Sequence, residues 1–270
     1  MFSKKEAPCF ILGSGRSLLK LTSEEKEYLN NSSRTLAMNC YTLFYEKVGV
    51  APKSLFLADK HYPNPRIFTE TIKKAIKDFG GRPIYYADVF YKNLFFKPYL
   101  HPFWNVVHRL RLFKRHRYIL PLKVKYPNVV FFRHLAGYYG RFRWAKSLRE
   151  PLYWLHGSLL TAINLAAIIY PNCDIKLVGV DLNEAEAFYD EEIQMHPEWI
   201  SHQYPISKKI GTHLTAIAFT WDGKTFFDGI LWARDELHKY NRRLLCCSPN
   251  SRLVLKGICD YSPIIDEMVY

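Results

Sequence analysis

The sequence lacks any stretch of 18 apolar residues free of charged side chains, the length that a membrane-spanning helix needs. Its six cysteines form no Cys-x-x-Cys pair and have no zinc-finger spacing to a histidine. We therefore expect free thiols, buried at Cys9, Cys40 and Cys246, as in proteins of a reducing compartment. The first apolar run is too short for a secretory signal, so the sequence predicts a cytoplasmic chain.

Acidic residues are missing between Asp88 and Glu150. The interval 89–149 holds 14 lysines and arginines, so that it accounts for the whole net charge of +13. Aromatic residues, including Trp104 and Trp144, run through the same interval. This composition predicts a basic aromatic insert that faces an anionic partner or remains well hydrated.

Outside this insert, short apolar runs alternate with segments of helical spacing. The predicted strands cover residues 9–13, 35–38, 54–58, 83–86, 128–132, 174–181 and, as the last one, 243–247. The predicted helices cover residues 22–29, 65–79, 157–170 and 223–240. Such alternation predicts one α/β domain over residues 1–270, with a Rossmann-like, doubly wound, mainly parallel sheet and residues 89–149 as a lid or sub-domain.

A glycine turn, Gly13-Ser14-Gly15-Arg16-Ser17-Leu18, follows the first predicted strand. Glycines at this place let a backbone approach a phosphate, although a tight strand-to-helix turn needs them equally. The dinucleotide fingerprint requires a third glycine where this chain has Leu18, and the end of the second strand lacks its acidic residue. An NAD-dependent enzyme is therefore not expected, and the absence of a G-x-x-x-x-G-K-[ST] sequence excludes a P-loop ATPase.

Polar residues stand where two other strands end, at Asn39 and Asp59, and His156-Gly157-Ser158 precedes the long apolar helix. In open parallel sheets, ligands bind beyond the carboxyl ends of the strands. These positions together predict one nucleotide crevice. Ordinary loop capping at Asn39 and Asp59, and a plain helix N-cap at His156 or Ser158, are the structural alternatives.

A third group of candidates follows the best-defined strand, which ends in Gly179-Val180-Asp181. The carboxylates here are expected to form a solvated acidic loop rather than a metal site; they are Asp181, Glu184, Glu186, Asp190, Glu191 and Glu192. Histidines at 196, 202 and 213 lie in a segment without sustained periodicity. A histidine there could act as a general base towards a hydroxyl, although each one alone could equally be a solvated side chain.

Read in order, these motifs, with Tyr189 and the closing Ser248-Pro249-Asn250-Ser251, resemble the bacterial sialyltransferases of glycosyltransferase family 42. They resemble more loosely the motility-accessory proteins that glycosylate flagellin. The resemblance covers roughly residues 8–60 and 150–262. It implies a GT-A-like variant of the fold and an inverting, metal-independent transferase without a cofactor, whose donor is a CMP-activated nonulosonic acid. The nucleotide-binding residues implied by this resemblance are Ser14, Gly15, Asn39, Asp59, His156, Gly157, Ser158, Gly179 and Asp181.

The resemblance also implies catalytic residues. The family holds the leaving phosphate with two tyrosine hydroxyls; Tyr189 matches the second, and the first position falls on Asn183. The family's base, a histidine in an Ile-Gly-His sequence, matches His213 with one residue inserted, and His202 is the alternative. The donor could be sialic, legionaminic or pseudaminic acid, or Kdo.

The expected acceptor is a hydroxyl of a surface glycan or lipopolysaccharide, and family relatives often form homo-oligomers. We therefore expect the basic insert to hold the protein peripherally on the anionic inner membrane. The cations chosen for this contact are Arg109, Arg111, Lys114, Arg115 and Arg117. Two rival functions are a basic nucleic-acid-binding protein and a magnesium-dependent pyrophosphokinase of the pterin type.

Overall fold

The chain was analysed as a computed structural model that describes residues 6–58, 65–88, 128–136, 142–183, 186–199, 215 and 223–266. These residues contain one nine-stranded sheet in which every neighbouring pair of strands is parallel. The strands are β1 (Glu6–Leu12), β2 (Thr35–Met38), β3 (Ser54–Leu57), β4 (Ile84–Asp88), β5 (Val129–Ala136), β6 (Leu152–Trp154), β7 (Cys173–Val178), β8 (Leu244–Cys246) and β9 (Asp260–Tyr261). Their spatial order is β6-β5-β4-β3-β2-β1-β7-β8-β9.

Helices cover both faces of the sheet, so the expected doubly wound, Rossmann-like architecture is confirmed. The helices are α1 (Ser23–Asn31), α2 (Tyr41–Val48), α3 (Pro65–Phe79), α4 (Leu159–Ile169), α5 (Asp190–Gln194), α6 (Phe226–His238) and α7 (Arg252–Leu255). Short 3-10 helices cover Arg16–Lys20 and Pro197–Trp199. The core on one face contains α4 and α6, and the core on the other contains α1, α2 and α3.

The direction of winding reverses at β1, which pairs with β2 on one side and with β7 on the other. From β1 the chain proceeds outwards to β6, and then returns to β7 and proceeds the other way to β9. Helix α1, which follows β1, covers one face, and α6, which precedes β8, covers the other, so the reversal lies beyond the carboxyl ends of β1 and β7. That place is the ligand crevice of open α/β sheets.

The central strands are buried on both faces, as the continuous apolar runs of a parallel sheet require. Lys176 in β7 is one of the few polar residues in these strands, and its side chain is only 2% exposed. Its Nζ donates to the carbonyl oxygen of Pro263 at 2.7 Å and to Asp266 Oδ1 at 2.6 Å. The C-terminal segment thus provides the partners that a buried ammonium group needs.

Local patterns located most elements correctly. The helix at 65–79 has its expected bounds, and Thr22 forms the expected capping box with Glu25 at the start of α1. The prediction that 243–247 is the last strand is wrong, because β9 follows it and pairs with β8. The short α2 and β6 had no sequence signal strong enough to predict them.

The interval 89–149 is not wholly an insert that stands off the sheet. It contains β5, which lies between β4 and β6, and Phe142 and Ala145 are buried in the core. These residues belong to the fold because their apolar side chains cover the sheet and α4. Residues 89–127 and 137–141 lie outside the described part of the chain.

All six cysteines are free thiols, and Cys9, Cys40 and Cys246 are buried as expected. Burial raises the pKa of the Cys246 thiol. Among the described residues, no helix combines the length and the apolar character needed to cross a bilayer.

Candidate functional site

The glycine turn after β1 packs directly against the end of β7. The backbone N–H of Gly13 donates to the carbonyl oxygen of Val178 at 2.8 Å, and that of Gly15 donates to Gly179 at 2.7 Å. A Cβ atom on Gly13 would lie 2.4 Å from the Gly179 oxygen. Gly179 itself has φ of +69°, and a Cβ there would lie 2.4 Å from Leu18 Cγ. The glycines are therefore needed for the close approach of two loops.

The Asp181 carboxylate occupies the side of the turn where glycine-rich loops usually receive an anion. Its Oδ2 accepts from the Ser17 N–H at 2.9 Å, and its Oδ1 accepts from the Ser17 hydroxyl at 2.6 Å. A Cβ on Gly15 would lie 2.4 Å from Oδ2. A phosphate in this position would displace or repel the carboxylate. The tight-turn alternative thus explains Gly13 and Gly15 without a phosphate.

A segment from Glu186 to Tyr189 lies across the same turn. The Phe188 N–H donates to the Ser14 carbonyl oxygen at 2.9 Å, and Ala187 forms an antiparallel bridge with Gly15. The Arg16 guanidinium pairs with the Glu186 carboxylate. The Ser14 side chain remains partly exposed, and no hydrogen bond to its hydroxyl is formed within the described residues.

Asn39 connects three parts of the carboxyl edge. Its Nδ2 donates to Ser158 Oγ at 2.9 Å, and its Oδ1 accepts from the Ala58 N–H at 2.8 Å. Asn39 and Ser158 are 119 residues apart in the sequence, so two independently chosen candidates meet here. Ser158 is the N-cap residue of α4, as the structural alternative expected, but its hydroxyl is bonded to Asn39 and caps no backbone N–H of the helix.

The start of α4 is bounded by side chains from the chain's C-terminal half. A Cβ on Gly157 would lie 2.9 Å from Thr215 Cγ2 and 3.6 Å from Phe226 Cε2. Gly157 therefore provides the space for this contact. His156, just before it, is partly exposed at the same edge.

Three of the five non-glycine residues that have a left-handed backbone in the described part of the chain lie at this edge. Asn39, His156 and Leu182 have φ of 47°, 50° and 61°. They follow β2, β6 and β7, respectively. Such conformations persist only where the surrounding structure imposes them, and they are frequent in functional sites. For Asn39, the left-handed backbone is what directs the amide towards both Ala58 and Ser158.

The loop after β7 is fixed by the closing segment of the chain. Ser251 Oγ donates to the Val180 carbonyl oxygen at 2.6 Å, and the Arg252 N–H donates to that of Asp181 at 3.0 Å. Asn183 Nδ2 donates to the Asn250 carbonyl oxygen. Asn183 Oδ1 is buried and accepts no hydrogen bond within the described residues. The Gly179-Val180-Asp181 motif and the closing Ser248-Pro249-Asn250-Ser251 motif are thus in contact.

Tyr189 lies in the core beneath this edge and is 8% exposed. Its ring stacks on Phe44 at 4.9 Å between centroids and meets Phe188 edge-on at 4.9 Å. This packing fixes the position of the tyrosine ring.

The carboxylates after β7 that the structure describes have partners, while the Glu186 and Glu191 side chains stay exposed to solvent. Besides Asp181, Glu186 pairs with Arg16, and Glu191 and Glu192 both pair with Lys47, at 3.1 and 2.8 Å. The hydrogen bond with Glu192 raises the pKa of Lys47. Within the described ranges, no three His, Cys, Asp or Glu side chains are grouped to hold a metal ion.

The candidate histidines and cations lie mostly outside the described residues. His196 is described: it is exposed, and its ring stacks on Trp199 at 3.9 Å. The candidates outside the described residues are Asp59, His202, His213, Arg109, Arg111, Lys114, Arg115 and Arg117.

One histidine near the edge had no sequence signal. His134 in β5 is 7% exposed, and its Nε2 lies 2.9 Å from Thr161 Oγ1 in the first turn of α4. The Thr161 hydroxyl donates to the Tyr153 carbonyl oxygen at 2.9 Å. Its single hydrogen is thereby used, so His134 Nε2 must be the donor. This chain of hydrogen bonds connects α4 to β5 and β6.

The described residues thus form an α/β protein with a parallel, Rossmann-like sheet, and the candidate residues converge where its winding reverses. Comparison with protein-family models, curated proteins and solved structures finds no significant match for the chain.

Proposed function

We propose that this protein is an inverting glycosyltransferase that moves a sialic-acid-like sugar from its CMP ester to a hydroxyl of a surface glycan or lipopolysaccharide. The observation that carries the proposal is the Asn39–Ser158 hydrogen bond beside the point where the winding reverses. It joins two positions that the resemblance assigns to one nucleotide site. The GT-A-like assignment and the lid role of residues 89–149 belong to this proposal.

The charge of the edge suggests how the donor would lie. The Asp181 carboxylate would accept hydrogen bonds from ribose hydroxyls but would repel a phosphate. The buried Asn183 Oδ1 offers a second acceptor for a hydroxyl or amino group. The donor phosphate would therefore lie on the side of Asn39 and the first turn of α4, where backbone N–H groups favour an anion.

In the proposed reaction, a histidine base removes the proton from the acceptor hydroxyl, and the oxygen attacks the anomeric carbon. The bond from that carbon to the phosphate oxygen breaks, and CMP leaves with both electrons of the bond. His213 is the proposed base, with His202 as the alternative. The resemblance assigns Tyr189 and Asn183 to the departing phosphate. Tyr189 would have to reach the phosphate with its hydroxyl while its ring remains stacked on Phe44.

A nucleotide thermal-shift screen tests the proposal. We expect CMP to raise the melting temperature more than AMP, GMP or UMP, with and without EDTA. Asp59→Ala should weaken CMP binding because a polar partner is lost, and Asn39→Asp should do so because it brings a carboxylate towards the phosphate. If CMP leaves the melting temperature unchanged and ATP with magnesium raises it, the result would contradict the transferase proposal and favour a pyrophosphokinase.

A further inference from the structure

A cationic surface lies at the β5–β6 edge, within the described part of the basic interval. Arg143, Lys146 and Arg149 are all exposed within seven residues, and Arg133 in β5 is partly exposed. Arg133 Nη2 donates to the Arg149 carbonyl oxygen at 2.7 Å, which joins β5 to this segment. We call Arg133, Arg143, Trp144, Lys146, Arg149 and Trp154 the edge surface.

Glu150, next to Arg149 in the chain, forms no ion pair with these cations within the described residues. The Glu150 carboxylate accepts from the backbone N–H of Lys146 at 3.3 Å and from the Ser147 hydroxyl at 3.5 Å. These are contacts within a turn, and no described lysine or arginine side chain is paired with Glu150. Counted over its four cations, Glu150 and Asp88, which is the register partner of Arg133 in β4, the edge surface keeps a net charge of +2.

The segment that bears these cations is held in a fixed position. Asn164 in the middle of α4 accepts from the Ala145 N–H at 3.1 Å and donates to the Ala145 carbonyl oxygen at 2.9 Å. The side chain of Asn164 is buried, so both bonds are shielded from water. The ring of Phe142 packs on Tyr153 at 5.1 Å and on Trp232 at 5.6 Å. The cations thus project from a rigid support.

The two tryptophans of the edge surface have their rings engaged by neighbouring rings. Trp144 packs edge-to-face with Trp232 at 5.7 Å and 80°, and Trp154, which is 38% exposed, packs at a tilt of 46° on His134. Single-stranded nucleic acids need open aromatic faces on which bases stack. Partly exposed indole groups beside cations are instead typical of surfaces at the lipid headgroup level.

The edge surface lies far from the part of the candidate site at β1 and β7, whereas His156 and Ser158 follow Trp154 closely in the chain. Five strand-to-strand steps lie between β6 and β1, which at the usual spacing is about 24 Å. A planar anionic surface in contact with the β5–β6 edge would therefore leave the carboxyl edge near β1 and β7 open.

We propose that the edge surface docks this protein onto an anionic lipid headgroup layer. The docking is independent of the transferase proposal, because it uses none of the candidate site residues. The edge surface would act together with the cations expected at residues 89–127. It places one part of the membrane contact on residues of the folded sheet domain.

The experiment measures co-sedimentation of the full chain with phosphatidylcholine vesicles, with and without phosphatidylglycerol. The test variant is Arg143→Ser/Lys146→Ser/Arg149→Ser. The control, Lys20→Ser/Lys77→Ser/Lys256→Ser, removes the same charge from exposed positions elsewhere. We expect binding only to the anionic vesicles, a loss of about 100-fold in the test variant, equivalent to about 3 kcal/mol, and a far smaller loss in the control.

Three results would overturn the docking proposal: a test variant that binds like the unmodified protein, a control that loses as much as the test variant, or a protein that binds generic RNA but not the vesicles. Urea unfolding of both variants checks that they fold. The CMP thermal shift of the same variants should be unchanged, so a failure of the nucleotide proposal is distinguishable from a failure of docking.

Discussion

Replacement of Asn39 tests the geometry of the candidate site through stability alone. Within the described residues, the Asn39 side chain forms hydrogen bonds with the Ala58 N–H and the Ser158 hydroxyl, and its backbone is left-handed with φ of 47°. Three substitutions separate these contributions. Asn39→Gly removes both hydrogen bonds, but glycine adopts the left-handed conformation without strain. Asn39→Ala removes the same hydrogen bonds and also strains the backbone. Asn39→Asp is almost isosteric with the original side chain.

The magnitudes follow from burial. Ala58 is 7% exposed, and a buried N–H left without a partner costs about 1–3 kcal/mol, which is the loss expected for Asn39→Gly. Asn39→Ala should lose about 1 kcal/mol more, because a Cβ makes the left-handed conformation unfavourable. Asn39→Asp should lose less than about 1 kcal/mol, since it still accepts from Ala58 and the Ser158 hydroxyl can rotate to donate.

Urea-induced unfolding followed by circular dichroism gives the free energy of unfolding of each variant. The expected order of stability is the unmodified protein, then Asp, Gly and Ala at position 39. An Asn39→Gly variant as stable as the unmodified protein would show that the two hydrogen bonds contribute nothing. An Ala variant more stable than the Gly variant would refute the left-handed backbone.

Three further predictions concern the glycine turn, a helix cap and the base. Gly15→Ala should melt at a lower temperature because its Cβ would lie 2.4 Å from Asp181 Oδ2, and the same change should cost less in an Asp181→Ala background, which lacks the carboxylate; an equal loss in both backgrounds would contradict the steric cause. Burial opposes ionisation of Asp228, but hydrogen bonds from Thr225 outweigh it and lower the pKa. The stability due to this capping box, about 1 kcal/mol, should therefore be complete above pH ~4 and be lost as the pH falls through the lower folded-state pKa; an Asp228→Ala variant whose stability deficit does not shrink in acid would refute this. His213→Ala should lower the rate of transfer by about 10²–10⁴ while CMP affinity in the thermal-shift assay persists; full activity in this variant would exclude His213 as the base.

The sequence by itself determined the fold class and most of the elements, because these depend on local periodicity and local caps. The helix at 65–79 and the capping box at Thr22 and Glu25 need only neighbouring residues for their formation. The choice of Asn39 as a site residue likewise needed only the rule that polar groups at the carboxyl ends of parallel strands face a ligand.

Only the tertiary structure decided how the chosen residues act on one another. The Asn39–Ser158 and Ser17–Asp181 contacts join positions 119 and 164 residues apart, and no local pattern encodes such pairings. The short β6 and β9 exist because neighbouring strands offer them hydrogen-bond partners, not because two or three residues carry a strand signal. Asp181 shows the reason most clearly. Its carboxylate places a negative charge against the glycine turn, and only folding brings that carboxylate to the turn.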